Sequence, residues 1–564
     1  MNYSPFLLWS LGIGILVSNA HIGVFAADAY VLRPLDETIE HLGLQQFFAD
    51  IPELELAKTS LNQRCEKACH ILSTVLPSEV QFPGSDAYTS NKRSYWAEQQ
   101  AALSPRCFVA VTQPLSVSIS VAVFRKTHCP FSVRSGGHSD VPGASNIENG
   151  VTIDLRFIRD IVVSDDKRTT SVGAGAIWGE VYMKLDPMDL TVLGGRLSAI
   201  GIGGLTLGGG LSFFSGKEGF ACDNVVNYQA SYSLPSQRFH DNINIPSIKQ
   251  VIMADARLEN VNQTSHPDLY RALRGGGNNF GIVTRFDLDT YPQGEMWSTV
   301  RSYRLDAKEL LMEGLVIFNE HAADDPDLSV ITSFVYVEGQ WACGLICQYA
   351  HPVPDPELLR FSFESLTNTT PIQETTRISR LANLTGGLTS NNPPSGYRDQ
   401  YTTKTYKNSI ELQKRIVEIV ILETDKIRGK LSNLDGFVSA VNFQGITSPM
   451  ISKFSKRGGN ILGIDLHEGP LLLVLFNFAW ASAADDHLII PASESILSQS
   501  NTIAAELGLL NDFIYMNYAG PNQSPFASYG RENLQELRRV QAKYDPDLVF
   551  EDLQPGGFKL NAEV

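Results

Sequence analysis

The feature that most restricts how this chain can fold is a glycine-rich run at residues 194–210, GGRLSAIGIGGLTLGGG. Glycines at this density within an apolar stretch allow the main chain to lie flat against a large planar or polyanionic partner. The alternative is a tight crossing of two backbones inside a core. The run is not the usual dinucleotide-binding fingerprint, because no strand–glycine–helix unit is completed by an acid about 20 residues further on. It predicts a long loop of closely packed main chain.

A second glycine motif, RSGGHS at residues 134–139, directly follows the strand-like segment Phe131–Arg134. Adjacent glycines let backbone N–H groups come close to a phosphate, because no Cβ intervenes. Arg134 would add positive charge there, and His138 would be exposed to whatever the loop holds. Taken alone, a Gly-Gly-His triplet more often contains a capping or solvent-facing histidine, so the motif gains its weight from its combination with the run 194–210.

Length and residue pattern predict an α+β protein with two domains. At 564 residues the chain exceeds one ordinary hydrophobic core. Short β-rich segments broken by glycine begin at Arg106, and longer strand-like segments such as Val330–Val337 and Leu471–Ala479 follow later. The later region predicts an antiparallel sheet with helices on one face. Segments with helical spacing or composition are 36–76, 117–125, 308–320 and 501–509.

Further motifs join the first two: Gly219–Val225, Leu273–Gly281, Tyr515–Tyr518 (YMNY) and Leu553–Leu560. Together they resemble the berberine-bridge-enzyme-like group of the vanillyl-alcohol-oxidase flavoprotein family, fungal type, in the family's order from about Cys65 to Leu560. The resemblance implies an α+β, two-domain PCMH-type FAD-binding fold. Its expected parts are an FAD domain over 60–290, a substrate domain of antiparallel sheet covered by helices over 291–500, and a C-terminal segment, 501–564, that returns to the FAD domain.

The resemblance also implies FAD bonded covalently through His138 to its 8α-methyl carbon. A neutral imidazole is a competent nucleophile near pH 7, so the residue type suits this bond. Many relatives attach the flavin a second time through a cysteine, but Leu197 occupies that position here, and we expect a single attachment. The other residues expected to bind the cofactor are Arg134, Ser135, Gly136, Gly137, Ser139, Gly194, Gly195, Ser198, Gly201, Gly203, Gly204 and Asn517.

Catalysis in this family implies hydride transfer from a small-molecule substrate to FAD, together with removal of an O–H or N–H proton by a base. Tyr518 is the first candidate for that base and Tyr515 the second; the alternative for each is a buried ring with a satisfied hydroxyl. Oxygen is the expected electron acceptor, although some relatives exclude it through a side chain near the position of Ile200. Oxidase activity is therefore favoured over dehydrogenase activity.

The substrate class stays open between two roles of fungal relatives, secondary metabolism and oligosaccharide oxidation. We favour the first, because no cluster of acids and amides suited to binding a sugar stands out. Aromatic residues at period two in 331–337 and 475–480 more often belong to a core than to a pocket. A third alternative is a catalytically silent flavoprotein, disabled by an atypical insertion.

That insertion is residues 230–250, which have no periodicity and interrupt what otherwise reads as one continuous strand from about Cys222 to Ala256. One interpretation is a genuine surface loop. The other is a retained short intron, which transcripts joining Gln229 directly to Val251 would establish.

Several features predict secretion. Residues 1–26 resemble a signal peptide, with the apolar run Phe6–Val17 followed by small-residue cleavage patterns, although no Lys or Arg precedes the run. Cys65, Cys69, Cys107 and Cys129 suit one or two disulfides that hold the first helix to a sheet. Glycosylation sequons lie at Asn262, Asn368, Asn383 and Asn522.

The net charge of −16 makes nucleic acid and anionic membrane surfaces poor partners. No histidine pair has the spacing of metal ligands with acids or cysteines, so no metal site is expected. We expect a monomer.

Overall fold

The computed structural model describes residues 30–48, 59–228, 251–390, 392 and 395–562. The predicted signal peptide and the segment 230–250 lie outside these residues. Within the described ranges, no helix has the length and apolar character needed to cross a membrane.

The N-terminal region alternates short helices with short strands. Its helices are α1 Leu35–His41, α2 Gln45–Phe48, α3 Leu61–Val75, α4 Asp86–Arg93, α5 Glu98–Ala101, α6 Pro114–Thr127, α7 Trp178–Leu185, α8 Ile202–Leu207, α9 Ser215–Glu218 and α10 Pro267–Ala272. Its strands are β1 Val80–Gln81, β2 Cys107–Ala110, β3 Phe131–Arg134, β4 Val151–Asp154, β5 Ile161–Val163, β6 Thr169–Gly173, β7 Leu190–Thr191, β8 Val225–Tyr228, β9 Val251–Ile252, β10 Leu258–Glu259, β11 Val261–Asn262, β12 Ile282–Val283, β13 Arg285–Asp289 and β14 Tyr291–Pro292.

The remaining elements belong to a large sheet, its helices and a C-terminal segment. The strands are β15 Met296–Arg304, β16 Leu328–Val337, β17 Gln340–Tyr349, β18 Gln373–Ser379, β19 Arg398–Lys407, β20 Val438–Ile446 and β21 Leu471–Trp480. The helices are α11 Lys308–His321, α12 Glu357–Ser362, α13 Leu381–Thr389, α14 Ile410–Arg428, α15 Ser448–Ile451, α16 Asp486–Glu506, α17 Pro525–Ser528 and α18 Arg531–Tyr544.

Two disulfides hold α3 to the sheet behind it. The helix begins after Ser60, whose hydroxyl accepts a hydrogen bond from the Gln63 N–H at 3.3 Å. Two cysteines one helical turn apart on α3 reach the sheet side, so the predicted link between the first helix and the sheet is confirmed. The pairs are Cys65–Cys129 and Cys69–Cys107.

The first sheet carries the RSGGHS motif at the end of one of its strands. Its order is β1-β2-β4-β3, and β2, β4 and β3 run parallel. The chain crosses from β2 to β3 through α6, whose apolar residues are buried. The motif therefore leaves the carboxyl end of β3, at the edge where loops of parallel strands form binding sites.

The later region forms one antiparallel seven-stranded sheet, in the order β18-β15-β17-β16-β20-β21-β19. Helices α11, α14 and α16 cover one face. The aromatic side chains of β16 and β21 point into that covered core, which confirms the core interpretation of the period-two pattern. They are Phe334, Tyr336, Phe476, Phe478 and Trp480.

Two predicted segments differ from the structure. The glycine-rich run is not a loop throughout, because Ile202–Leu207 forms α8 with Ile202 and Thr206 fully buried; burial of these side chains outweighs the low helix propensity of glycine. The helix predicted at 501–509 is only the end of the longer α16, Asp486–Glu506. Pro491 lies inside that helix and obscured its first half in the sequence pattern.

The strand pairing on either side of 230–250 has one continuous register once this segment is left out. Strand β11 pairs with β8, Val261 opposite Tyr228 and Asn262 opposite Asn227, so the two residue numbers of each pair add up to 489. Strand β10 pairs Leu258 with Ile252 and Glu259 with Val251, which gives 510. The difference of 21 equals the number of residues from 230 to 250. Joining residue 229 to Val251 would therefore place residue 229 opposite Asn260 and make a single ladder.

We predict that a variant lacking 230–250 folds and retains its cofactor at least as well as the full chain, because the deletion removes no pairing of the described strands. Thermal denaturation and flavin content of the two purified proteins would be compared. A deletion of the same length directly after this segment, residues 251–271, is the control. It removes strands β9, β10 and β11 and most of α10, and it should not fold. Loss of folding in the 230–250 variant would establish this segment as an integral part of the protein.

Candidate active site

One large cavity lies between the two glycine motifs and the uncovered face of the seven-stranded sheet. Its volume is about 1030 Å³, at the upper end of the roughly 300–1,000 Å³ typical of ligand sites. It has room for a large cofactor together with a substrate. Among the described residues, no group of three or more His, Cys, Asp or Glu is arranged to hold a metal ion.

The two glycine motifs touch through their main chains at one wall of this cavity. A Cβ built on Gly136 would lie 2.6 Å from the Gly201 nitrogen, and one on Gly201 would lie 2.3 Å from the Gly136 nitrogen. The Ser135 hydroxyl donates to Ala174 O at 2.6 Å and accepts from the Gly203 N–H at 3.1 Å. These contacts bring the two loops together as one surface. Cavity-lining residues among those predicted to bind the cofactor are Ser135, Gly136, Gly137, His138, Ser139, Gly201, Gly203, Gly204 and Asn517.

His138 lies on this surface and is held by an aromatic neighbour. Its ring stacks on Trp96, with centroids 4.2 Å apart and planes 19° apart. The backbone N–H of Trp96 donates to Gly137 O at 3.1 Å, which fixes the tryptophan against the loop. Burial lowers the pKa of His138 to about 4, so the imidazole is neutral at pH 7 and keeps a lone pair available for bonding.

Arg134 is placed differently from the phosphate-facing position that the motif suggested. Its guanidinium donates to Asn91 O at 3.0 Å, Asn91 Oδ1 at 2.8 Å and Ser94 O at 2.6 Å, and lies 3.7 Å from the centroid of the Tyr95 ring. It does not line the cavity. Arg134 therefore supports the loop from behind, since most of its donors are taken up by the turn beneath it.

The start of the glycine-rich run also packs away from the cavity. Gly194 and Gly195 lie against the Trp178 ring, where a Cβ on either would come within 2.0 Å and 2.6 Å of ring atoms. Ser198 is bonded to Thr389, its N–H donating to the threonine hydroxyl at 2.8 Å. None of the three lines the cavity, whereas Leu197 between them does.

Tyr515 is a structural acceptor rather than a free hydroxyl. Its oxygen accepts hydrogen bonds from the Gly210 N–H at 3.1 Å, the Leu211 N–H at 2.9 Å and Asn517 Nδ2 at 3.1 Å. Burial raises the pKa of Tyr515 above its ordinary value. Asn517 Nδ2 also donates to Leu205 O at 2.9 Å, so this pair ties the C-terminal segment to the glycine-rich run.

Tyr518 belongs to a network that sequence reasoning missed. Its hydroxyl oxygen accepts from Arg196 Nη2 at 2.5 Å and from Gln444 Nε2 at 3.4 Å, and Arg196 Nη1 donates to Gln444 Oε1 at 2.6 Å. Within the described residues Arg196 has no carboxylate partner. The only sequence feature that could have indicated this network is the position of Arg196, a charged residue inside an apolar glycine-rich run. Because both neighbours act as donors, neither accepts the tyrosine proton, which stays available to another acceptor.

The uncovered face of the seven-stranded sheet carries amide and hydroxyl groups in a row across adjacent strands. Ser333 Oγ donates to Asn442 Oδ1 at 2.6 Å, and Asn442 Nδ2 donates to Asn477 Oδ1 at 3.2 Å. All three line the cavity. Such a group did not stand out in the sequence. The residues are far apart in the sequence, and only the strand register brings them together.

Two carboxylates line the same cavity beyond this row. Asp140 and Asp399 are 8% and 1% exposed. Asp140 Oδ2 accepts from the Tyr401 N–H at 2.8 Å, whereas Asp399 Oδ2 has no hydrogen-bond partner. Burial raises the pKa of Asp140 to about 7, and burial together with the charge of Asp140 raises that of Asp399 to about 8.

These pKa values predict a pH-dependent cost to stability. A carboxyl whose pKa is raised on folding binds its proton more tightly in the folded state, so its contribution to stability falls as pH rises from about 4 toward about 8. We expect Asp399→Asn to stabilise the protein by on the order of 1–3 kcal/mol at pH 9 and much less at pH 5. Thermal denaturation at both pH values tests this, and a variant less stable than wild type at pH 9 would contradict it.

The cavity fits the FAD that the family resemblance predicts. A main-chain surface without Cβ atoms suits a flat ring and a pyrophosphate, and the neutral His138 faces it. Gln554, only 2% exposed, also lines the cavity and its Oε1 has no partner among the described residues. Such an unsatisfied buried acceptor is expected where a bound group supplies the missing donor.

Comparisons with known proteins agree with this site. The model of an FAD binding domain matches residues 105–232, and the model described as berberine and berberine like matches residues 514–555. The FAD-dependent monooxygenase tpcD of Cochliobolus heterostrophus is 37% identical over 512 residues, covering 88% of this chain and 94% of the relative. The FAD-dependent monooxygenase FUP4 of Fusarium proliferatum is 36% identical over 511 residues, with the same coverage.

Solved structures share the fold at low identity. Berberine bridge enzyme from Eschscholzia californica superimposes with a TM-score of 0.67 at 15% identity, covering 86% of this chain and 97% of that one. Xylooligosaccharide oxidase from Myceliophthora thermophila gives 0.65 at 16% identity, covering 87% and 98%. The predicted α+β, PCMH-type fold is confirmed. The chain belongs to the berberine-bridge-enzyme-like group of FAD-linked oxidoreductases.

Proposed function

We propose that this chain is a secreted oxidase of small molecules that carries FAD on His138 and removes hydride from an alcohol or amine C–H. The observation that carries the proposal is that His138 and the Arg196–Tyr518 pair face one cavity. FAD, when bound, supplies a two-electron acceptor. Tyr518 would take the O–H or N–H proton of the substrate, and the bound cofactor would supply the acceptor for the C–H hydrogen and its two electrons.

Geometry favours Tyr518 over Tyr515 as the base. The Tyr515 oxygen already accepts two backbone N–H groups and an amide, and burial raises its pKa. Tyr518 instead bonds a cation that has no carboxylate partner among the described residues. A base must place its oxygen within hydrogen-bond reach of the substrate proton. Both tyrosines line the cavity, so the choice between them rests on the partners of their hydroxyls. Arg196 acts through Tyr518 as a positioning residue.

We predict that Tyr518→Phe lowers kcat about 100- to 10,000-fold, the usual contribution of general acid–base catalysis, with flavin content unchanged. Tyr515→Phe is the matched control. It should lower stability by about 1–3 kcal/mol, because two buried N–H groups lose their acceptor, and affect kcat less. Turnover would be measured with a substrate identified by a peroxide screen, and equal loss of kcat in both variants would contradict the assignment.

The residues around the proposed cofactor site support a single covalent attachment. His138 is neutral and faces the cavity, while Leu197 lines the same cavity without a thiol. Acid precipitation should therefore give a yellow pellet, with the flavin mass on the peptide containing His138 and none on the peptide containing Leu197. In His138→Ala, FAD should appear in the supernatant. Colour retained in the pellet of that variant would exclude His138 as the attachment site.

Oxygen is the proposed acceptor of the electrons. Two electrons and two protons passed to O₂ yield hydrogen peroxide and restore the oxidised cofactor. The fungal relatives are named FAD-dependent monooxygenases, which are oxygen-consuming enzymes. Ile200, the position at which some relatives control oxygen access, lines the cavity.

Secretion is supported by the described part of the chain. The two disulfides suit an oxidising compartment, and three of the sequon asparagines, Asn368, Asn383 and Asn522, are exposed. The signal peptide itself lies outside the described residues.

Two substrate classes have support. The named fungal relatives favour secondary metabolism. The row of Ser333, Asn442 and Asn477 favours an oligosaccharide, because hydroxyl-rich ligands need such donors and acceptors. Peroxide production with cello- or xylo-oligosaccharides would establish the second class, and oxidation of aromatic or polyketide-like alcohols alone would establish the first.

A further inference from the structure

Asp140 and Asp399 are buried acids that line the cavity, and no lysine, arginine or histidine of the described residues pairs with either. Several buried acids elsewhere are satisfied. Asp154, Asp223 and Asp255 pair with arginines, and both carboxylate oxygens of Asp485 and of Asp545 accept hydrogen bonds. Because a buried charge without a partner is costly, the unbonded Asp399 oxygen at the cavity wall suggests that its partner is a ligand.

The backbone holds both carboxylates against the cavity. The Tyr401 N–H fixes Asp140, as described above. The side-chain amide of Gln99 forms two hydrogen bonds with the main chain of Asp399. Its Nε2 donates to Asp399 O at 2.5 Å, and its Oε1 accepts from the Asp399 N–H at 3.1 Å. These contacts use the main chain of Asp399 and leave its carboxylate unbonded. The free Oδ2 thus belongs to a buried, rigidly placed side chain that lines the cavity.

We propose that Asp140 and Asp399 form a binding site for a protonated amine group of the substrate. This proposal rests on the proposed function in one respect, that the substrate binds in this cavity. Of the alcohol and amine substrates named there, it selects the amines. An ammonium group supplies N–H donors for the unbonded Asp399 oxygen and the positive charge that the described residues lack. At lower pH, protonation of the carboxyls takes the place of the ligand.

Other charged and titratable groups near the pair do not supply this charge. Arg398, next to Asp399 on β19, is bonded to Asp486 at 2.6 Å. Arg196 is bonded to Tyr518 and Gln444. Burial raises the pKa of Tyr401 well above its usual range, so its phenol stays neutral between pH 6 and 8.5. In the holoenzyme His138 would carry the flavin.

Isothermal titration calorimetry with benzylammonium, and with benzyl alcohol as the neutral probe of similar shape, tests the proposal on the holoenzyme from pH 6 to 8.5. The Kd of benzylammonium should fall at least tenfold from pH 6 to pH 8, with release of one or two protons, because the ligand displaces protons from the two carboxyls. The Kd of benzyl alcohol should not depend on pH. Buffers of different ionisation enthalpy count the released protons.

Asp399→Asn and Asp140→Asn keep the side-chain shape and should each weaken benzylammonium at least tenfold and reduce the pH dependence. Asp435→Asn, an exposed acid beside the cavity-lining Gly436, is the matched control and should bind like wild type. Benzylammonium that binds no tighter than benzyl alcohol, or equally well to Asp399→Asn, would overturn the proposal.

Calorimetry needs no turnover, so the two proposals fail separately. A protein that binds benzylammonium in this way but oxidises no substrate would support this site and refute the proposed oxidase function. A protein that oxidises neutral alcohols but shows no preference for the ammonium probe would do the reverse.

Discussion

The main-chain contact between Gly136 and Gly201 is the constraint on which the site depends. A Cβ on either residue would come within 2.6 Å of the other loop's backbone, and backbone cannot move aside as a flexible side chain can. His138 comes from one loop and Arg196 from the other, and both line one cavity only because the loops touch. The Ser135 hydroxyl, bonded to both Ala174 and Gly203, holds the two loops in register.

The cavity is lined by charged groups that have no partner of opposite charge among the described residues. Arg196 is bonded to neutral groups, and Asp140 and Asp399 have no cation within the described chain. Unpaired charge in a low-dielectric site reduces stability, yet it makes every interaction with a ligand stronger. Buried acids elsewhere are satisfied by arginines, as at Asp154, Asp223 and Asp255, or by hydrogen bonds to both oxygens, as at Asp545. The unbonded Asp399 oxygen at the cavity wall is the observation from which a binding role is inferred.

Sequence was sufficient for what local pattern determines and insufficient for what the register of distant strands determines. Local pattern predicted the strands β2, β3 and β4 and the glycine loop that carries His138. The four cysteines indicated a link between helix and sheet, but not which pairs form. Arg196 and Tyr518 are 322 residues apart in the chain, and no local signal joins them. Gly194 and Gly195 match the motif but face Trp178, because the motif does not encode which face of the loop meets the cavity.

The two charge centres of the cavity are separated by a pair of tyrosines. The rings of Tyr518 and Tyr401 lie 6.3 Å apart at 89°, with Arg196 bonded to the first and Asp140 bonded to the backbone of the second. The two rings pack edge to face, so a substrate would lie across them rather than between them. It would meet Arg196 on one side and, once they are ionised, the two carboxylates on the other. Under the two proposals this polarity would favour a cationic group near the acids and a developing oxyanion near Arg196, and would oppose the reverse orientation.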